Sequence, residues 1–191
     1  MGQKIWFKLD NAAKLYPAIA SSRWNSLFRL TGELNDEIDP EILQKALDQV
    51  LLRFPTMNVR MRTGLFWYYL EQAPGRLTVR QDTGHPCMPF SKKRDGGFLI
   101  RVFYYGKRIS CEFFHAITDA TGGLAFLKTL LVQYLRLKGK AVSFDQGALD
   151  IAASPTEEET QDAFLKIPLP KIRIDRSIEK AYHFPARTAS R

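Results

Sequence analysis

Cysteine is scarce: two in 191 residues cannot build a disulfide framework, and Cys87 and Cys111 match no metal-ligand spacing. His85 and Cys87 share the segment GHPCMPF, but no further ligand types accompany them, so that segment reads as a loop and no metal is expected. Long apolar runs are missing too. The most apolar stretch, Leu124 to Leu137, is broken by Lys128, Gln133 and Arg136, which is incompatible with a bilayer span. The opening residues, MGQKIWFKLDN, hold neither an apolar core nor a small-residue cleavage site, so secretion is not expected. Trp6 stands where a myristoylation pattern has Ser or Thr. There is no internal repeat and no low-complexity tract. These absences describe a reduced, soluble, cytoplasmic chain. The net charge is +8, with a concentration in Lys166, Lys171, Arg173, Arg176, Lys180, Arg187 and Arg191. No dense basic run interleaves with stacking aromatics, so a solvated basic surface is expected rather than a nucleic-acid interface.

What is present is a globular composition, 45% hydrophobic and 12% aromatic. Phe28, Leu30, Gly32 and Leu34 alternate with Arg29, Thr31 and Glu33, which predicts a half-buried strand over Ser26 to Leu34. Asp39-Pro40 supplies an N-cap and a first-turn proline. Leu43, Ala46, Leu47, Val50, Leu51 and Phe54 then follow at helical spacing until Pro55. Asn58 to Arg62 and Leu65 to Gln72, joined at Thr63-Gly64, predict a hairpin. Its second strand, LFWYYLEQ, is aromatic on both sides and is expected to be buried on both, with Trp67, Tyr68 and Tyr69 read as core rather than tunnel lining. A short strand is expected near Leu77 to Arg80. Phe98 to Tyr105 and Arg108 to Phe114 form a second hairpin around Gly106-Lys107, with Ile109, Cys111, Phe113 and His115 pointing one way. From Gly122 to Leu137 the period becomes helical, with Leu124, Leu127, Leu131, Tyr134 and Leu135 on one face and Gly139 as the stop. A short helix from Ser154 to about Leu165 precedes an extended, proline-broken tail. The order predicts an α/β chain of the two-layer α+β sandwich type, a mixed sheet with helices on one face.

The chemistry concentrates in RISCEFFHAITDATGGLAF, residues 108–126. His115 ends a strand where a loop opens, a common place for working residues. Asp119 is held by the same turn, and Gly122 and Gly123 allow close approach of backbone or substrate. Plainer readings exist for each. A histidine can simply end a core strand, Asp119 can be a helix N-cap, and Cys111, mid-strand among phenylalanines, reads as an inert buried thiol. His183 in the tail has no visible partner.

The segment is similar to the His-His-x-x-x-Asp-Gly motif of the superfamily that holds chloramphenicol acetyltransferases, peptide-synthetase condensation domains and plant His-x-x-x-Asp acyltransferases. FKLDNAAKLYP, FRLTGEL and RFPTMNVRMRTGLFWYYLE also resemble bacterial alcohol acetyltransferase-type proteins. The resemblance implies one half of a chloramphenicol acetyltransferase-like fold, with His115 as general base and Asp119 ordering the motif loop, usually through an arginine. Phe114 replaces the first histidine and Ala120 the glycine. It further implies an acyl-CoA-dependent O-acyltransferase that holds no bound cofactor and takes acetyl-CoA as co-substrate and an alcohol as acceptor. A carrier-protein thioester stays open as the alternative donor. Residues 1–140 would be the half-domain with the motif, and 141–191 a linker or tail toward a second half. Such a half is expected to be inactive alone and to need its complement or self-association. The alternative is a non-catalytic binding or assembly module that kept the fold.

Overall fold

A computed structural model describes residues 6–9, 13–19, 25–65 and 68–160, all within one compact unit. The elements run β1 (Trp6–Lys8), α1 (Leu15–Ile19), β2 (Leu27–Glu33), α2 (Pro40–Arg53), β3 (Val59–Thr63), β4 (Tyr68–Gln72), β5 (Arg80–Gln81), α3 (Lys92–Asp95), β6 (Ile100–Tyr105), β7 (Arg108–Phe114), α4 (Ala120–Leu137) and α5 (Glu157–Thr160). The mixed α/β class is as expected, but the strands divide into two sheets rather than one. A four-stranded sheet has the order β2-β7-β6-β5, antiparallel except where β5 runs parallel to β6. The hairpin β3–β4 instead joins β1 in a separate antiparallel sheet.

Helices α2 and α4 lie together on one face of the four-stranded sheet. The Asp39 carboxylate accepts the Glu41 and Ile42 N–H groups at 2.9 and 3.1 Å, and Pro40 fills the first helical position, so α2 starts where its sequence directs. Its apolar stripe, Leu43, Ala46, Leu47 and Val50, is fully buried against Ile109, Cys111 and Phe113 of β7, Phe126 and Leu130 of α4 and the rest of one core cluster. Burying side chains of this size contributes about 1.5–3 kcal/mol each.

Two expected faces are corrected. In α4 the buried stripe is Gly123, Phe126, Leu127, Leu130 and Tyr134, while Leu124 is 42% exposed and Leu131 and Leu135 flank the core. The helix rotates because α4 seats Gly123 on β2, where a Cβ would lie 3.0 Å from Phe28 and 3.3 Å from Leu30. In the hairpin, β4 begins at Tyr68, Leu65 is exposed, and only Leu70 of the strand is buried. The outer side of this sheet carries Arg60, Arg62 and Glu71, so among the described residues it is charged rather than apolar. Trp67 lies outside the described residues. The expected short strand sits slightly later, at Arg80–Gln81, with Leu77 buried before it.

The face of the four-stranded sheet away from the helices holds a buried ion network. Arg29, Glu112 and Arg101 are cross-strand neighbours on β2, β7 and β6. Glu112 accepts Arg29 at 2.9 Å, Arg101 at 2.9 Å and the Cys87 N–H at 2.7 Å. Arg101 continues to Asp95 at 3.0 Å, which also takes Arg80 at 2.9 Å, and Arg29 continues to Asp82 at 2.6 Å. Glu112 and Asp95 are each 1% exposed at the side chain. Such charges persist in the interior only because every one is paired.

Beyond α4 the chain folds back. Thr129 of α4 accepts the Leu149 N–H at 2.9 Å, and buried Arg53 donates to the Asp150 carbonyl at 3.2 Å and to both Glu159 oxygens at 2.6 and 2.7 Å. The helix expected over Ser154 to Leu165 is described only as Glu157–Thr160. His183 and the basic residues from Lys166 onward lie outside the described residues. No described helix is long and apolar enough to cross a membrane.

Candidate functional site

The last ladder pair of β2 and β7, Leu27 with Phe114, places His115 just past the sheet, where its N–H donates to the Ser26 carbonyl at 2.8 Å. Its imidazole is half-buried and held by rings rather than by polar partners. Tyr16 of α1 stacks on it with centroids 4.6 Å apart and planes 18° apart. Phe28 meets it edge-on at 5.3 Å and itself stacks on Phe113 at 5.2 Å. Offset and edge contacts of this kind fix a ring's plane while leaving its nitrogens free. Among the described residues, neither ring nitrogen has a hydrogen-bond partner.

Asp119 lies four residues on, at the N-cap of α4. Its carboxylate accepts the Gly122 N–H at 2.8 Å and its carbonyl the Gly123 N–H at 2.9 Å. No described arginine pairs with it. The structure therefore ties Asp119 to the loop through the helix start. The two glycines fall inside the first turn of α4 rather than before it. Gly123 serves the contact with Phe28 and Leu30, and a side chain at Gly122 would run into Thr118. Through Phe28, the close packing of α4 on β2 reaches the ring that flanks His115.

The sequence predicts that one turn holds His115 and Asp119; in the structure the turn spans residues 115–117 and Asp119 follows it as the N-cap of α4. Tyr16 and Phe28 were not singled out beforehand. Phe28 was legible as an inward position of an alternating strand, whereas nothing local marks Tyr16. The ion network also left one signal, a glutamate inside the largely apolar run ISCEFF, which when buried calls for a cation beside it. Cys111 faces the helices, fully buried, and burial pushes its thiol well above the ordinary range, as suits an inert group. His85 is exposed, and among the described residues no three His, Cys, Asp or Glu side chains gather in a way that could hold a metal ion.

The fold matches solved structures of larger proteins. The starter condensation domain of rhizomide synthetase aligns with a TM-score of 0.57 at 14% identity, over 73% of this chain and 40% of that one. Polyketide synthase associated protein 5 from Mycobacterium tuberculosis gives 0.51 at 14% identity, over 72% and 34%. A tallysomycin biosynthesis protein gives 0.50 at 17% identity, over 68% and 36%. The chain thus spans roughly a third to two fifths of each. No protein-family profile and no curated protein matches the sequence. The architecture is that of one half of a condensation-domain, chloramphenicol acetyltransferase-like fold.

Proposed function

We propose that this chain is the base-carrying lobe of an acyltransferase that moves an acyl group from a thioester to an alcohol. A nitrogen of His115 takes the proton of the acceptor hydroxyl as its oxygen bonds to the thioester carbonyl carbon. The tetrahedral intermediate then collapses, the carbon–sulfur bond breaks, and the departing thiolate recovers the proton from the imidazolium. No acyl-enzyme is needed. The observation that carries this reading is the His115 imidazole itself, plane-locked by Tyr16 and Phe28 at a strand end with both nitrogens unclaimed by any described residue.

Acetyl-CoA is the donor favoured by the resemblance of the N-terminal segments to alcohol acetyltransferase-type proteins. A carrier-borne thioester is the runner-up, since a condensation domain of a synthetase is among the similar folds. Asp119 is a positioning residue that starts α4 and so fixes the loop behind the base. The complement of the site is assigned to a second lobe, which the larger similar structures have room for. The ring stacking of His115 also suits a purely structural histidine in a non-catalytic binding module, and the test separates the two.

That test is thiol release from acetyl-CoA in the presence of a panel of short alcohols, measured on the full gene product and its His115→Ala variant. Removing a positioned base is expected to lower kcat about 10²–10⁴-fold while the fold, read by circular dichroism, stays intact. Full activity in the variant, or an inert wild type with both acyl-CoA and carrier-bound donors, overturns the assignment.

A further inference from the structure

The outer side of the three-stranded sheet carries a charge that its own partners do not balance. Arg60 and Arg62 stand two residues apart on β3 and lean on one carboxylate, that of Glu71 on β4. Arg60 Nε and Nη2 lie 2.6 and 2.5 Å from Glu71 Oε1, and Arg62 Nε lies 3.2 Å from the same oxygen. Two guanidinium groups on one carboxylate leave a net positive charge. Among the described residues, Arg60 Nη1 and both terminal nitrogens of Arg62 donate to no partner. The two side chains are 28% and 51% exposed, so Arg60 is partly covered and Arg62 stands at the surface.

Beside them lies a cavity of about 370 Å³, walled on its other sides by Phe90, Ser91, Gly97, Phe98 and Leu99. Gly97 has φ +87°, and a Cβ there would come within 3.6 Å of the Arg60 Cβ, so bare backbone keeps space open next to the arginine. Phe90 is fixed by the buried Arg101 guanidinium, 4.0 Å from its ring centroid, and Phe98 is 4% exposed within the core. The cavity therefore sets an apolar wall beside the strand that carries the two arginines. Its volume lies at the lower end of the roughly 300–1,000 Å³ of ligand sites.

We propose that this cavity binds a small organic anion. A carboxylate or phosphate docks on Arg62 and the free Nη1 of Arg60, and an apolar or aromatic body rests against Phe90, Phe98 and Leu99. One such anion would bring the Arg60–Arg62–Glu71 group to neutrality, and the planar guanidinium fork suits either oxyanion. The Ser91 hydroxyl adds a further donor at the rim. The site adjoins the motif strand, because the Leu99 carbonyl accepts the N–H of Phe114, the residue before His115, at 2.9 Å. It does not depend on His115 being a base.

The test is isothermal titration of the whole chain with phenyl phosphate, benzoate, inorganic phosphate and, as a neutral control, phenol. Saturable binding of phenyl phosphate, benzoate or both is expected. Binding of one alone names the oxyanion, and binding of both makes the site a general one. Arg62→Gln should weaken it about tenfold or more, the loss of a charge-assisted pair. Glu71→Gln should tighten it by removing the competing carboxylate, a change that a merely structural arginine pair would not produce. Arg108→Gln, at the exposed start of β7, should leave it unaltered. The proposal is overturned by absent saturation with both aromatic anions, by unchanged affinity in Arg62→Gln, or by inorganic phosphate or phenol binding as tightly as phenyl phosphate.

Discussion

Replacing Glu112 by Ala tests how far the sheet behind His115 depends on its buried charges. The carboxylate accepts Arg29, Arg101 and the Cys87 N–H and is 1% exposed, while Arg101 is 3% exposed. Removing one partner of a buried pair leaves the other charge uncompensated and costs about 3–5 kcal/mol. The orphaned Cys87 N–H adds to that, while Asp82 and Asp95, which still hold the two arginines, subtract from it. A net cost of about 3–5 kcal/mol follows, and at about 2–4 °C per kcal/mol for a domain of this size it lowers Tm by about 6–20 °C. Thermal melts and urea midpoints followed by circular dichroism measure it directly. Thiol labelling supplies a local readout. Burial, and then the charge of Glu112, push the Cys87 thiol up, so in the variant Cys87 should react faster with a maleimide at fixed pH. Cys111, sealed in the helix-facing core, should stay unlabelled until the protein unfolds. A Tm loss of less than about 2 °C together with unchanged Cys87 labelling would refute the network's role.

Asp119→Ala removes the cap on α4 and should cost about 1 kcal/mol, whereas Asp119→Asn keeps an acceptor for the Gly122 N–H and should fall within about 0.5 kcal/mol of wild type by chemical denaturation. If the asparagine variant lost as much as the alanine one, an ion pair rather than the cap would be its main contribution. Acid stability follows from Asp95. Burial pushes its carboxyl up, but hydrogen bonds from Arg101, the Ser91 N–H and Arg80 outweigh that and hold it at about 2. Because the folded value lies below the unfolded one, its stabilisation of about 2 kcal/mol is complete above about pH 4 and disappears as the pH falls toward 2. Melts across that range should show the loss, and Asp95→Asn should flatten it; parallel profiles for the two proteins would contradict the assignment.

Helix α2 was legible in the sequence because its start, stop and face are all local. Asp39 and Pro40 begin it, Pro55 follows its end, and its apolar positions keep one period. The alternation of β2, the hairpin of β6 and β7, and the turn that joins His115 to Asp119 were readable for the same reason: each is settled within about a dozen residues of chain. Helix α4 was readable as a helix but not in its rotation. Leu124, Phe126, Leu127, Leu130, Leu131 and Leu135 offer several stripes of similar hydrophobicity, and the close contact of Gly123 with Phe28 and Leu30 chose among them. The division into two sheets, the Arg29–Glu112–Arg101 network and the stacking of Tyr16 on His115 were decided in the tertiary structure alone. Each joins residues far apart along the chain, and local composition cannot say which distant cation or ring will meet a buried glutamate or an imidazole until the strands have paired and the helices have packed.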